Sequence, residues 1–164
     1  MTHTTARPTT RRTAAPALRS EARAQRLLLA RLDQDQADLE RARQLLQQAH
    51  ELAGPAPRES FELVHRAALR CAGVLVARAN RERRRALPLN VWTALDRLGG
   101  SAAERSAQMA PMVAERMRLD RDPRALPAPD LLAQHLADTA AHLAEVAASL
   151  VADLPARLAE LTAP

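Results

Sequence analysis

The stretch FELVHRAALRCAGVLVARANRERRRALPLNVWTALDRLGG, residues 61–100, decides the fold of this 164-residue chain. It contains the only Phe, the only Cys and the only Trp, and a basic run separates its two apolar parts. Both parts repeat at three- and four-residue intervals, which is the periodicity of one face of an α-helix. In the first part this face consists of Phe61, Val64, Ala68, Cys71 and Leu75. The stretch therefore predicts two helices joined by a basic loop.

The composition of the rest of the chain argues against a β-sheet. Residues 20–164 contain seven Val, three Thr and no Ile, and the whole chain has no Tyr. A sheet packs its faces with β-branched and aromatic residues, whereas the dominant Ala, Leu, Arg, Glu and Gln favour helices. We therefore predict an all-α protein, long enough for one domain with a buried core.

Apolar periodicity and helix-breaking residues predict an antiparallel bundle of four to five helices. We expect a helical domain over residues 20–155, a disordered tail over 1–19 and a short C-terminal turn or tail over 156–164. The helices are predicted at about 20–53, 58–80, 91–98, 101–119 and 130–153.

Helix-end signals refine two of these helices. Asn90 is the predicted N-cap of the short helix that starts at Val91. Ser101 and Glu104 form a predicted capping box at the start of the next helix. Pro111 is expected to kink or split that helix, because proline lacks a backbone N–H and clashes with the preceding turn.

Positive charge is concentrated in the deciding stretch. Lysine is absent, so all 24 basic residues are Arg, and the formal net charge is +5. The predicted nucleic-acid-binding residues are Arg78, Arg81, Arg83, Arg84 and Arg85. Such a cluster attracts a phosphate backbone, although no aromatic residue interleaves it for base stacking. The alternative is a solvated basic loop.

The histidine spacing on the last predicted helix raises the question of a metal site. His135 and His142 are seven residues apart with Asp138 between them, so one helix face could supply these ligands. No Glu-x-x-His pair on another helix completes such a site. Convergence with His50 and His65 is geometrically possible. The alternative places the histidines on helix surfaces or beside the packing seams, and we predict no metal or other cofactor.

The remaining signals point to a cytoplasmic protein that does not enter a membrane. Cys71 is predicted to be a small core residue, and a lone Cys fits a reducing compartment. No apolar run approaches the roughly 20 residues of a membrane span. Residues 1–19 lack the apolar region of a secretory signal, although their Thr, Pro and Arg bias also resembles a transit peptide. No glycine-rich phosphate loop identifies a small-molecule substrate.

One family resemblance emerges from this order of elements. A long helix leads into His65-Arg66-Ala67-Ala68-Leu69-Arg70, followed by an Ala/Val-rich continuation, an Arg/Pro-rich loop and Val91-Trp92-Thr93-Ala94-Leu95. Over about residues 22–153, the chain resembles a bacterial subgroup of the HEPN superfamily (higher eukaryotes and prokaryotes nucleotide-binding domain). The resemblance implies a bundle of four or five helices, often a homodimer. It also implies either an RNase or a domain that binds RNA or a partner protein without catalysis.

The resemblance directs attention to an Arg-x4–6-His motif, which family RNases use at a dimer interface. Arg43 with His50 and Arg58 with His65 have this spacing, but an arginine-rich chain meets it by chance, and both pairs precede the expected position. We therefore predict a non-enzymatic protein- or RNA-binding module that forms a homodimer. The alternatives are a degenerate metal-independent RNase using Arg58 and His65, and a purely structural partner of another protein.

Overall fold

The computed structural model describes the backbone of residues 14–162 and the side chains of residues 19–154. Within this range all regular structure is helical, which confirms the all-α prediction. The helices are α1 (Ala14–Leu52), α2 (Pro57–Arg81), α3 (Val91–Leu98), α4 (Gly100–Arg121) and α5 (Pro129–Thr162). None of them is long and apolar enough to cross a membrane.

Helix α2, which begins the deciding stretch, lies at the centre of the domain and contacts each of the other four helices. Its apolar face is almost completely inaccessible, with Phe61, Val64 and Cys71 each 0% exposed. Helices α1 and α2 run antiparallel: the Ser60 hydroxyl donates to the Ala49 carbonyl near their connection, and Arg81 reaches back to Asp35.

The core has two clusters on either side of the middle of α2. One joins α1 and α2 to α4 and α5 through Phe61, Met109, Met112 and other buried residues. The other joins α1, α2 and α5 around Cys71, which is the buried core residue expected from the sequence. Burying this apolar surface supplies the main stabilisation of the fold, at about 25 cal/mol per Å² removed from water.

Two predicted helix boundaries are wrong. Helix α1 starts at Ala14, six residues before the expected start, and residues 1–13 of the predicted tail lie outside the described chain. Helix α5 continues through Pro155 to Thr162 instead of ending near Asp153. The residues after Pro155 are ARLAEL, all strong helix formers, which favours continuation of the helix. Residues 163–164 of the predicted C-terminal tail also lie outside the described part.

The predicted helix-end signals have mixed outcomes. Asn90 is the N-cap of α3, and its side chain accepts hydrogen bonds from the backbone N–H groups of Trp92 and Thr93. The predicted capping box does not form, because α4 begins at Gly100 and has no side-chain cap. Pro111 does not split α4. It lies on the exposed side of the helix. Proline has no N–H to donate to the carbonyl one turn earlier, and on this side water can donate to that carbonyl instead.

Candidate functional site

The predicted basic site divides into anchored and exposed arginines. Arg81 donates two hydrogen bonds to the buried carboxylate of Asp35, at 2.8 and 2.6 Å. Arg78 donates to the Ser149 hydroxyl at 3.2 Å and forms an ion pair with Asp153. Both guanidinium groups therefore hold the C-terminal end of α2 against α1 and α5, and neither is available as a free phosphate ligand.

The other three arginines, Arg83, Arg84 and Arg85, project from the loop that follows α2. We call the segment of these three residues the basic loop. All three are exposed, and their side chains form no hydrogen bond or ion pair with residues 19–154. The chain beside them is fixed: Leu87 is buried, and its N–H donates to the Asn80 side chain at 2.8 Å. The structure therefore presents three adjacent positive charges on an anchored segment.

Arg58 and His65 do not form a shared cleft. The Arg58 guanidinium donates to the carbonyl oxygens of Leu119, Asp122 and Ala125, at 2.8 to 3.0 Å. It thereby supplies donors to the C-terminal end of α4, whose last carbonyls have no helical partner. His65 is only 3% exposed and lies in the core. The geometry gives both residues structural roles, because Arg58 is occupied by backbone carbonyls and His65 is buried.

His65 belongs to an aromatic cluster with the buried Phe61 and His135 and the half-buried Trp92. Ring centroids of the two histidines are 5.6 Å apart, and Phe61 lies 5.3 Å from His135. Burial, reinforced by the charge of Arg116, lowers the pKa of His65 to about 4 despite an opposing effect of Asp120. Burial, with a smaller contribution from His65, lowers the pKa of His135 to about 3. Both imidazoles are therefore neutral at pH 7.

The predicted metal ligands face different surroundings. His135 is fully buried and its Nδ1 lies 3.2 Å from the Thr139 hydroxyl, whereas His142 lies beside Arg105 and Glu145. Asp138 contributes its backbone carbonyl to Arg105. No group of three His, Cys, Asp or Glu side chains suited to a metal occurs in the described part of the chain.

The alternative placed the histidines on helix surfaces or beside the packing seams, and three of them do not lie on the surface. His65, His135 and His142 are all buried, and only His50 of the four is exposed. Each buried histidine lies on a helix face that the tertiary packing covers. His50 and His65 consequently differ in accessibility, and the four histidines do not converge on one site.

Arg105, which lines a cleft together with His142, was not predicted from the sequence as a candidate residue. It is 9% exposed and donates to the Asp138 carbonyl at 3.1 Å and to Glu145 at 3.2 Å, next to His142. Burial and, secondarily, the charge of Arg105 lower the pKa of His142 to about 4, against an opposing effect of Glu145. The available signal was the position of Arg105, four and seven residues before Met109 and Met112 on the apolar face of α4.

Comparison with protein-family models, curated proteins and solved structures finds no match to this chain. Function is therefore inferred from the chemistry and exposure of the residues described above.

Proposed function

We propose that the protein is a non-enzymatic, HEPN-like antiparallel helical bundle that binds RNA through the basic loop. The observation that carries this proposal is the exposure of Arg83, Arg84 and Arg85 without an ion-pair partner among the described side chains. The neighbouring Arg78 and Arg81 are engaged in contacts with α5 and α1. The loop thus supports polyanion binding without first breaking an intramolecular ion pair.

The chemistry of the loop favours recognition of the RNA backbone. Guanidinium groups form paired hydrogen bonds with phosphate oxygens and keep their charge at any physiological pH. No aromatic side chain stands in the loop, and Trp92 is half-buried near His65, so base stacking makes no contribution there. The expected binding is therefore salt-dependent and tolerant of RNA sequence.

The non-enzymatic part of the proposal rests on the positions of Arg58 and His65. The Arg58 guanidinium is occupied by three carbonyl oxygens, and the His65 ring is buried and neutral. A reaction at the RNA 2′-OH needs an accessible base within hydrogen-bond reach. Two copies of the chain in a homodimer would present two basic loops, and two linked loops raise the effective affinity for one RNA strand.

The test is a titration of single-stranded RNA, followed by fluorescence anisotropy over a series of salt concentrations. The triple variant Arg83→Gln, Arg84→Gln, Arg85→Gln should reduce the slope of log affinity against log salt by about 2, at roughly 0.7 per lost phosphate contact. A matched control removes three exposed arginines elsewhere. It carries Arg66→Gln, Arg121→Gln and Arg124→Gln and should keep most of the slope.

Three results would contradict the proposal. If both triple variants lose the same amount of the salt slope, net charge rather than the basic loop governs RNA binding. Cleavage of the RNA that disappears in His65→Gln would favour the RNase alternative. Absence of RNA binding, together with salt-insensitive capture of a protein, would favour the purely structural alternative. Light scattering of the purified chain tests the homodimer separately.

A further inference from the structure

A cleft of about 420 Å³ lies between the first turns of α4 and the middle of α5. This volume lies in the usual range for small-ligand sites, about 300–1,000 Å³. None of the basic-loop arginines lines it. The walls combine charged, polar and apolar side chains from three helices: Leu75, Ser101, Ala102, Glu104, Arg105, Gln108, His142, Glu145, Val146 and Ser149.

The cleft lining includes the first turn of α4, and the N-terminus of this helix lacks a side-chain cap. The N-cap residue is Gly99, and the first intrahelical hydrogen bond comes from Ala103 to the Gly99 carbonyl. Ser101 and Ala102 line the cleft, and their backbone N–H groups have no helical acceptor. Free N–H groups and the positive end of the helix dipole favour a bound anion there.

The cleft lining carries charges of both signs. The Arg105 guanidinium and the Glu145 carboxylate are 3.2 Å apart; the Arg105 side chain is 10% exposed and that of Glu145 is 69% exposed. Glu104 adds a second exposed carboxylate on α4. A ligand with only a negative charge would be repelled by the carboxylates of Glu104 and Glu145. A ligand with only a positive charge would be repelled by Arg105 and the positive end of the α4 dipole. The lining therefore fits a ligand that has both charges.

His142 is an independent indication of a ligand. It is 5% exposed, lines the cleft, and forms no hydrogen bond with any side chain or backbone group in the described residues. Its lowered pKa, caused mainly by burial, leaves the imidazole neutral at pH 7, with one donor and one acceptor nitrogen. Among the described residues, the buried side-chain nitrogens without a partner belong to His65, Arg116 and His135. The His142 nitrogens are instead reached from the cleft, so a ligand there can take the place of water as their hydrogen-bond partner.

We propose that this cleft binds a small zwitterion of the α-amino acid type. The ligand carboxylate lies at the N–H groups of Ser101 and Ala102, and its ammonium group lies at Glu104 and Glu145. The apolar side chain of the ligand packs on Leu75 and Val146, and His142 hydrogen-bonds one of the ligand's two charged groups. This site is separate from the basic loop and does not depend on RNA binding.

Nuclear magnetic resonance titration of the full chain tests the proposal. The probes are the common amino acids, with leucine compared against 4-methylpentanoate, which lacks its ammonium group, and 3-methylbutylamine, which lacks its carboxylate. We expect at least one apolar amino acid to shift the amide resonances of Ser101, Ala102 and His142. Each one-charge analogue of that ligand should bind at least about tenfold more weakly, because it loses a charge-assisted contact.

Ala102→Asp is a variant that should fold normally yet lose the ligand. An acidic residue in the first turn favours the helix, but here it repels the ligand carboxylate. The adjacent Ala103→Asp changes the same charge in the same turn at a residue that does not line the cleft. We expect at least about tenfold weaker binding in Ala102→Asp and a smaller loss in Ala103→Asp.

The proposal is overturned if no amino acid shifts these resonances at millimolar concentration. It is equally overturned if a one-charge analogue binds as tightly as its parent amino acid. The same holds if Ala102→Asp and Ala103→Asp bind that amino acid with equal affinity. RNA affinity measured in the same variants distinguishes the two sites. Loss of RNA binding in the basic-loop triple variant should leave amino-acid binding unchanged.

Discussion

Replacing Arg81 by methionine will leave the carboxylate of Asp35 in the core without its counter-charge. Asp35 is 2% exposed and occupies a seam position of α1 between Leu32 and Leu39. Its two oxygens accept the hydrogen bonds from Arg81, at 2.6 and 2.8 Å. The loss therefore has two parts, a missing ion pair and an unsatisfied buried charge.

The magnitude follows from the different exposure of the two partners. Removing one partner of a buried ion pair costs about 3–5 kcal/mol. The Arg81 side chain is 18% exposed, so water reaches the vacated position, and we expect the lower end, about 3 kcal/mol. At an m-value of about 2 kcal/mol/M, the urea midpoint falls by roughly 1.5 M.

Asp35→Leu should be much milder, at about 1 kcal/mol or less, because leucine completes the apolar seam and Arg81 can turn toward water. The double variant should lie within about 1 kcal/mol of the natural protein, since a buried pair and an apolar replacement are often nearly equivalent. The coupling energy in this cycle is then about 3 kcal/mol.

Urea unfolding followed by circular dichroism at 222 nm measures all four proteins of the cycle. Arg41→Met is the matched control, because Arg41 pairs with Asp38 on the surface at 3.5 Å and should contribute less than about 1 kcal/mol. The reasoning is refuted if Arg81→Met costs no more than this control. It is also refuted if the double variant loses the sum of the two single effects.

Two further predictions concern the buried histidines and Arg58. The pKa values of His65, His135 and His142 are lowered on folding, so the unfolded chain binds more protons and stability must fall as the pH drops from about 7 toward 4. At pH 5 the loss is on the order of 2 kcal/mol per histidine. Urea unfolding at several pH values should show that stability depends less steeply on pH in His65→Leu than in the natural protein, and equal slopes in the two proteins would contradict the assignment. Arg58→Ala should cost about 1.5–3 kcal/mol and speed amide exchange in the last turn of α4, while RNA affinity stays unchanged. Loss of RNA affinity without loss of stability would instead make Arg58 a binding residue.

Most of the helical structure could be predicted because its signals are local. The bounds of α3, Val91–Leu98, follow from the Asn90 cap and from the glycine after Leu98. The apolar face of α2 follows from residue spacing alone. Local signals fail where several of them compete, as at Ser101, where a capping box matches the pattern but the helix starts earlier, at Gly100.

The candidate sites were less predictable because their properties arise between distant residues. The basic run indicated five equivalent arginines, yet Arg78 and Arg81 are held by acids far away in the chain. Nothing near Arg81 in the sequence reveals Asp35, 46 residues earlier. Likewise, the His135–His142 spacing indicated a shared helix face, but separate neighbours surround each ring.

The sequence by itself determined the all-α class, the apolar helix that begins the deciding stretch and the concentration of positive charge after it, because propensity, periodicity and charge are properties of neighbouring residues. Only the tertiary structure decided which arginines remain exposed, that His65 and His142 are buried and neutral, and that Arg105 meets Glu145 beside a cleft. Burial, hydrogen-bond partners and pKa values depend on which helix faces meet, and packing brings residues far apart in the chain to those faces.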